Sequence, residues 1–352
     1  MSTVHQPSRI LIIRLSALGD VVMASGLIPA LKSRFPDAKI SWLVESAAEP
    51  LLRHNPRLDE VIVWPRAQWR KLWRERRIRE LWSQIRALFK KIRLCRYDLV
   101  LDAQGLLKSA VWARLSGAPR RVGLFGREGG RFLLTERVIP EPRDDAMMSS
   151  EYRFLAKYLG AGANAFDLDL AVGEVARQKA KAVLGKAGVA GGFAVLSPFT
   201  TRPQKHWFEE RWIELARALI AKGIVPVILG GPGDREAAQR MTTEEPGVID
   251  LTGLLKLDES VAVIAMSKLL IGVDTGLTHM STALKIPTVA LFGSTRPYLD
   301  AGSPLTKVLY EKLPCSPCRR RPTCGGTYDC MRALTVDQVL AQAQCQMGLV
   351  NT

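Results

Sequence analysis

The chain has 352 residues, 47% of them apolar and 24% charged, which is enough for two domains that each bury a core. No run of roughly 18 apolar residues occurs, which excludes a membrane-spanning helix, and the short polar start from Met1 to Arg9 does not read as a secretory leader, so a cytoplasmic protein is expected. Fifty Lys and Arg against 34 Asp and Glu leave a formal charge of +16; nucleic acid, an anionic membrane surface or a phosphorylated substrate would each fit that excess.

The first half alternates strand and helix. Ile10 to Leu15 is an apolar run interrupted only by Arg14 and ending in a Gly-containing loop, the mark of a strand buried on both faces. A helix is predicted from Val21 to Arg34, closed by Pro36, then strands at Lys39–Val44 and Val61–Trp64. The stretch from Arg66 to Arg96 is basic, with apolar residues at 69, 72–73, 81–82, 85 and 88–89 in an approximate helical stripe. Basic amphipathic helices carrying tryptophan bind membrane interfaces, and they also pack on their own sheet with their charges merely solvated. A strand at Asp98–Asp102 feeds Gln104-Gly105 and a helix through Leu115, and another helix runs from Ser150 to Leu159.

Composition shifts at Ala161–Gly173, where the domain boundary is expected, and the rhythm then restarts. Strands are predicted at Phe193–Leu196, Val225–Leu229, Leu269–Val273 and Thr288–Phe292, with a helix at Glu209–Lys222 and a last one at Thr335–Met347. The expected fold class is α/β, a pair of doubly wound parallel sheets. The expected domains are residues 1–165, 166–335 and a C-terminal helix at 336–352. Neither a G-x-G-x-x-G nor a G-x-x-x-x-G-K-[ST] occurs, so dehydrogenase and P-loop readings lose their usual support. Four of the six cysteines fall as Cys315, Cys318, Cys324 and Cys330, which raises a structural zinc site as one reading; Cys95 and Cys345 read as packing residues.

The chemistry concentrates where strands end. At Val273-Asp274-Thr275-Gly276-Leu277-Thr278-His279 an apolar strand runs into a helix start, whose unpaired N–H groups and dipole suit phosphate. The plainer alternative is a strand–turn–helix with Asp274 as its cap. Asp20 follows Gly19 in the first strand–loop–helix crossing and reads either as a helix cap or as a general base. Lys205 reads as a phosphate ligand or a surface lysine, with Thr200 and Thr201 beside it. Gly230-Gly231-Pro232-Gly233-Asp234-Arg235-Glu236 reads as an adenosine wall with Glu236 in contact, or as a tight turn. His206 stays ambiguous and Trp207 reads as packing. Asp167-Leu168-Asp169 is the one Asp-x-Asp spacing, and it lies in the linker region.

Four islands carry a resemblance. Residues 273–279, Ile12-Ile13-Arg14-Leu15-Ser16-Ala17-Leu18-Gly19-Asp20-Val21-Val22, Asp102-Ala103-Gln104-Gly105-Leu106-Leu107-Lys108-Ser109 and Thr200-Thr201-Arg202-Pro203-Gln204-Lys205-His206-Trp207 together resemble the bacterial ADP-heptose:lipopolysaccharide heptosyltransferases. The last two resemble most the type I branch, which acts on the inner Kdo sugar of the lipopolysaccharide core. The resemblance implies the GT-B architecture, two Rossmann-like domains facing across a cleft, with the last helix returning to the first domain. It implies an inverting transfer of L-glycero-D-manno-heptose from ADP-heptose to Kdo-lipid A, with no cofactor and no metal. Asp20 becomes the catalytic base and Lys205 the stabiliser of the departing ADP. Asp274, Thr275, Gly276, Leu277 and His279 complete the donor site, with Leu255 against adenine. Ser16, Gln104, Arg70 and Lys71 become acceptor ligands, and the protein is expected at the anionic inner-membrane surface. Similar cysteine clusters near the type II enzymes keep a type II reading open. The reading from another class is a non-catalytic basic protein on nucleic acid or membrane, although no nucleic-acid motif is present.

Overall fold

A computed structural model describes residues 6–124, 128–139, 147–318 and 321–349. The chain divides into two compact units, residues 1–144 with 149–171, and residues 145–148 with 172–352.

The first unit is a six-stranded parallel sheet in the order β3-β2-β1-β4-β5-β6. Its strands are β1 (Arg9–Ile13), β2 (Lys39–Glu45), β3 (Glu60–Trp64), β4 (Leu99–Asp102), β5 (Arg120–Leu124) and β6 (Glu136–Val138). Its helices are α1 (Leu18–Ala24), α2 (Leu27–Arg34), α3 (Arg66–Arg74), α4 (Ile78–Leu94), α5 (Leu107–Ser116) and α6 (Ser150–Tyr158). Moving from β1 through β2 to β3 runs one way along the sheet, and moving from β3 to β4 and β5 runs the other. Right-handed crossovers therefore place α3, α4 and α5 on the face opposite α1 and α2. Leu72, Leu81, Leu88, Ile92 and Trp112 from that layer share one buried cluster with Leu11, Ile13 and Val100 of the sheet.

The single helix expected from Val21 to Arg34 is two. Pro29 has no N–H for an unbroken ladder, and the chain turns at Ser25-Gly26. The Phe166 ring fills the place of a side chain at Gly26, where a Cβ would stand 2.4 Å from it. The basic stretch is also two helices, and its tryptophans divide. Trp69 is buried and donates to Gln84 Oε1 at 3.0 Å, whereas Trp73 is 66% and Trp82 59% exposed.

The second unit repeats the plan with strand order β12-β11-β10-β7-β8-β9. The strands are β7 (Phe193–Ser197), β8 (Val225–Ile228), β9 (Ile249–Asp250), β10 (Leu269–Val273), β11 (Thr288–Phe292) and β12 (Thr306–Tyr310). The helices are α7 (Glu174–Lys186), α8 (Glu209–Ile220), α9 (Arg235–Glu244), α10 (Leu257–Met266), α11 (Gly276–Ala283), α12 (Asp329–Arg332) and α13 (Val336–Gly348). Thr335 caps α13 by accepting from the Gln338 N–H at 3.3 Å. The last helix packs within the second unit. Its apolar face, Val336, Val339 and Ala343, is committed to the second unit's own core with Val289 and Leu291.

Among the described residues, which include all four cysteines, no group of three or more His, Cys, Asp or Glu could hold a metal ion. Cys330 is buried in the core beneath Gly293, and burial pushes its thiol up, as it does that of Cys318. Cys345 is exposed, against the expectation of packing. No described helix is long and apolar enough to cross a membrane.

Candidate functional site

Doubly wound sheets bind ligands beyond the carboxyl ends of their strands, where the strand order reverses. The two reversal points here lie between β1 and β4 and between β7 and β10. Both are occupied by residues singled out from sequence.

At the first, Arg14 and Asp20 follow β1. Arg14 is buried, and its Nη2 pairs with Asp20 Oδ2 at 2.5 Å while its Nη1 donates to the Ala103 carbonyl at 3.1 Å. Its guanidinium lies 5.7 Å from the Tyr152 ring centre. Asp20 Oδ2 also accepts from the Ala17 N–H at 3.3 Å, so the cap and the charged pair coexist on one oxygen. The side chain stays 39% exposed, and no described hydrogen bond falls on Oδ1. Gln104 follows β4. Its Oε1 accepts from the Leu15 and Ser16 N–H groups at 2.8 and 3.3 Å, which ties the two loops together and leaves its amide nitrogen to donate.

Lys108, in the first turn of α5, pairs with Glu45 at 3.2 Å and reaches Ser16 Oγ at 3.5 Å; Arg66 meets the same Glu45 oxygen at 3.3 Å. A cavity of about 730 Å³ adjoins Arg66, lined also by Trp64, Trp69, Arg70, Trp73 and Arg74. Arg70 thus faces a cavity. Lys71 does not line it and pairs along the helix with Glu75 at 3.8 Å.

Beneath this site Asp102 is fully buried at the end of β4. Burial pushes its carboxyl up to about 6, against hydrogen bonds from Ser109 Oγ and the Gly105 and Gln104 N–H groups. A carboxyl raised on folding binds protons in the native state that the unfolded chain has released, so its cost to stability grows as pH rises from about 4 to 6. Asn keeps the acceptor for both N–H groups without the charge. Asp102→Asn should therefore gain stability over the parent as pH climbs through that window, by up to about 3 kcal/mol at neutral pH. Denaturant titrations at pH 4.5 and 7.5 check this, and an equal difference at both would refute it.

The second reversal point holds Lys205, from the turn after β7, against Asp274 at the end of β10. Lys205 Nζ lies 2.5 Å from Asp274 Oδ2 and 3.3 Å from its carbonyl. Thr295 Oγ1 donates to the same carboxylate oxygen at 2.7 Å, and His279 Nε2 lies 3.4 Å from Oδ1. The hydroxyl of half-buried Tyr298 bonds to His279 Nδ1 and fixes the ring from the other side. Burial opposes ionisation of Asp274, but His279 and Lys205 outweigh it and hold the carboxyl well below the usual range. Stability from this cluster is present above the ordinary carboxylate range and is lost only as pH falls into strong acid. Asp274 does not cap α11: Thr275 takes the cap position, and its side chain makes no capping bond. Gly276 and Leu277 open the first turn with their N–H groups unpartnered within the helix.

Thr200 and Thr201 sit in the turn before Lys205, half-buried and exposed. His206 is a fixture of that turn, its Nε2 bonded to the Thr200 carbonyl at 2.8 Å. Trp207 packs edge-on to Trp212 and donates to the Leu334 carbonyl at 3.0 Å. The loops after β8 and β9 meet where the Gly253 N–H donates to the Gly230 carbonyl at 3.0 Å. Leu255, on the second, is half-buried; Glu236, in the first turn of α9, is 93% exposed and 3.5 Å from Arg240. The Asp-x-Asp pair is otherwise engaged, since Asp169 binds Arg57 at 3.0 Å.

Sequence reasoning missed Arg14, Lys108, Thr295 and Tyr298. The first two stand inside quoted motifs, and the last two lie just past the end of β11.

Residues 85–328 match the profile of glycosyltransferase family 9 (heptosyltransferase). Lipopolysaccharide heptosyltransferase 1 of Pseudomonas aeruginosa is 31% identical over 324 residues, covering 90% of this chain and 87% of its own. Lipopolysaccharide heptosyltransferase 2 of Escherichia coli K12 is 29% identical over 303 residues, covering 82% and 84%. The solved structure of E. coli heptosyltransferase WaaC with ADP-2-deoxy-2-fluoro heptose matches with a TM-score of 0.72 at 26% identity, over 96% of this chain and 99% of that one. The two parallel six-stranded sheets are thus of the GT-B class, and the chain belongs to glycosyltransferase family 9, the heptosyltransferases.

Proposed function

We propose that the chain is a heptosyltransferase I. It moves L-glycero-D-manno-heptose from ADP-heptose to Kdo of Kdo-lipid A in lipopolysaccharide inner-core synthesis, at the cytoplasmic face of the inner membrane. The observation that carries the reading is the Lys205–Asp274–His279 cluster at the head of α11, a receptor for a departing diphosphate.

In the reaction, Asp20 accepts the proton of the acceptor hydroxyl as that oxygen attacks the anomeric carbon. The bond from that carbon to the β-phosphate oxygen breaks in the same displacement, which inverts the centre. Negative charge grows on ADP, and the Lys205 ammonium and the first-turn N–H groups of α11 receive it. Asp274 acts through Lys205 and His279, as a positioning residue. Thr200, Thr201, Thr275, Gly276 and Leu277 line the diphosphate side, and Glu236 and Leu255 the adenosine side. Ser16, Gln104 and Arg70 contact the acceptor, joined by Lys108. Lys71, outside the cavity, serves the anionic surroundings instead.

The type I reading rests on the 31% relative and the motifs at 102–109 and 200–207. A donor and acceptor panel read by mass spectrometry tests it. A heptose added to Kdo-lipid A from ADP-heptose is expected. Product formed only on an acceptor already bearing heptose would assign the type II activity instead. Saturating ADP should also raise the melting temperature, as a native-state ligand must. Unchanged melting would favour the non-catalytic reading.

A further inference from the structure

The chain's excess charge is concentrated in one place. Helices α3, α4 and α5 and the 3-10 turn Gly130–Leu133 together carry twelve Lys and Arg and a single acid, Glu80. That surplus of eleven is most of the formal +16. The same forty residues hold nine of the sixteen large apolar side chains exposed among the described residues. The two excesses coincide on one layer. Crossover handedness puts α3, α4 and α5 on a single face of the first sheet, and the 3-10 turn packs so closely on α5 that a Cβ at Gly130 would lie 2.9 Å from that of Ala110.

The apolar groups are ordered. Val111 and Leu115 are four residues apart on α5 and share its outer side. Phe132 stands 77% exposed on the adjoining turn, with the Arg131 guanidinium 4.6 Å from its ring centre. Trp82 and Phe89 continue the apolar surface along α4. Arg86 and Lys90 are exposed beside them and have no partner among the described residues. A folded surface gains nothing by leaving tryptophan and phenylalanine in water between unpaired cations. An interface of anionic headgroups over acyl chains takes both, the cations against phosphate and the rings and aliphatic groups just below.

We propose that this whole layer, and not the 66–96 stretch alone, is the surface on which the protein lies against an anionic lipid bilayer. The inference rests on the reading that the acceptor is membrane-borne. Its border is the Arg66–Lys108 side of the same unit, where the acceptor residues Ser16 and Gln104 are gathered. Nucleic acid would use the cations and leave the apolar stripe without a role.

Two variants test it, neither touching a site residue: Val111→Gln/Leu115→Gln/Phe132→Ser, and Arg86→Glu/Lys90→Glu. All five positions are exposed, so melting temperatures should match the parent. The full chain should float with vesicles of equal parts phosphatidylglycerol and phosphatidylcholine, and not with phosphatidylcholine alone. Each variant should bind the anionic vesicles at least ~10-fold more weakly. Each should lose turnover on vesicle-borne Kdo-lipid A and keep it on a deacylated, water-soluble acceptor. Flotation lost in the charge variant but intact in the apolar one would overturn the proposal, and so would tighter retention on duplex DNA or RNA than on vesicles. Vesicle binding with the expected losses, but no heptose transfer by the parent, would leave the docking surface standing and refute the enzymatic reading.

Discussion

Asp20→Asn should lower turnover at least ~100-fold, the low end of what a positioned general base supplies, while ADP binding stays nearly unchanged. The structure sharpens the reason. Asp20 Oδ2 is held by Arg14 and by the Ala17 N–H, so the side chain is fixed in place, and no described hydrogen bond falls on Oδ1, the atom that would take the acceptor's proton in the proposed reaction. Asparagine retains an oxygen for the Ala17 N–H and loses the base. It also leaves Arg14, which is buried, without its counter-charge, so some loss of stability accompanies the substitution. The experiment therefore needs two readings. Thermal melting with and without ADP reports the fold and the donor site, and single-turnover transfer reports the chemistry. Arg14→Lys perturbs the same pair by giving up the bond to the Ala103 carbonyl while keeping both charges and the base, so it should retain far more turnover than Asp20→Asn. If Asp20→Asn keeps most of its turnover, the residue is structural only, the partner of Arg14 and of the Ala17 N–H.

Much of the scaffold was legible because buried parallel strands announce themselves. The run at 269–273 holds no polar side chain and the run at 288–292 only Thr288, and the strands begin and end where those runs do. The break in the Val21–Arg34 helix was less so. Pro29 hints at it, but the Phe166 ring that occupies the corner at Gly26 comes from 140 positions away. Trp69 and Trp73 sit four residues apart on α3, and local spacing alone gives them the same environment. What separates them is α4, which covers one and leaves the other in water. The site divides in the same way. Lys205 and Asp274 were each visible at a strand end, because the chemistry of a strand end is local. Their pairing spans 69 positions and follows from β7 and β10 being neighbours in the sheet. Thr295 and Tyr298 carry no local mark, and only the packing of the segment after β11 brings them onto Asp274 and His279.

Lys205→Ala should cost turnover ~100-fold or more, as expected when one preorganised partner of a developing negative charge is removed. Lys205 and Asp274 are each only 15% and 13% exposed, so their pair is largely desolvated and its partners are not replaced by water. Removing the ammonium leaves the carboxylate with Thr295 and His279 alone, which should destabilise the fold by about 3 kcal/mol. Lys205→Arg separates the two effects. It restores a permanent charge beside Asp274 and should recover most of the lost stability, but its planar fork does not reproduce a compact point charge on phosphate, so turnover should stay well below that of the parent. Added magnesium should rescue neither variant, and the parent should work fully in excess chelator. This expectation follows from where the charges sit: the one Asp-x-Asp pair has Asp169 engaged with Arg57, while Lys205 and the opening turn of α11 share one strand-end site. A strict magnesium requirement in the parent would mean that a metal takes the charge of the leaving diphosphate. Lys205 would then serve only to neutralise Asp274, and Lys205→Arg, which keeps that charge, should then turn over like the parent.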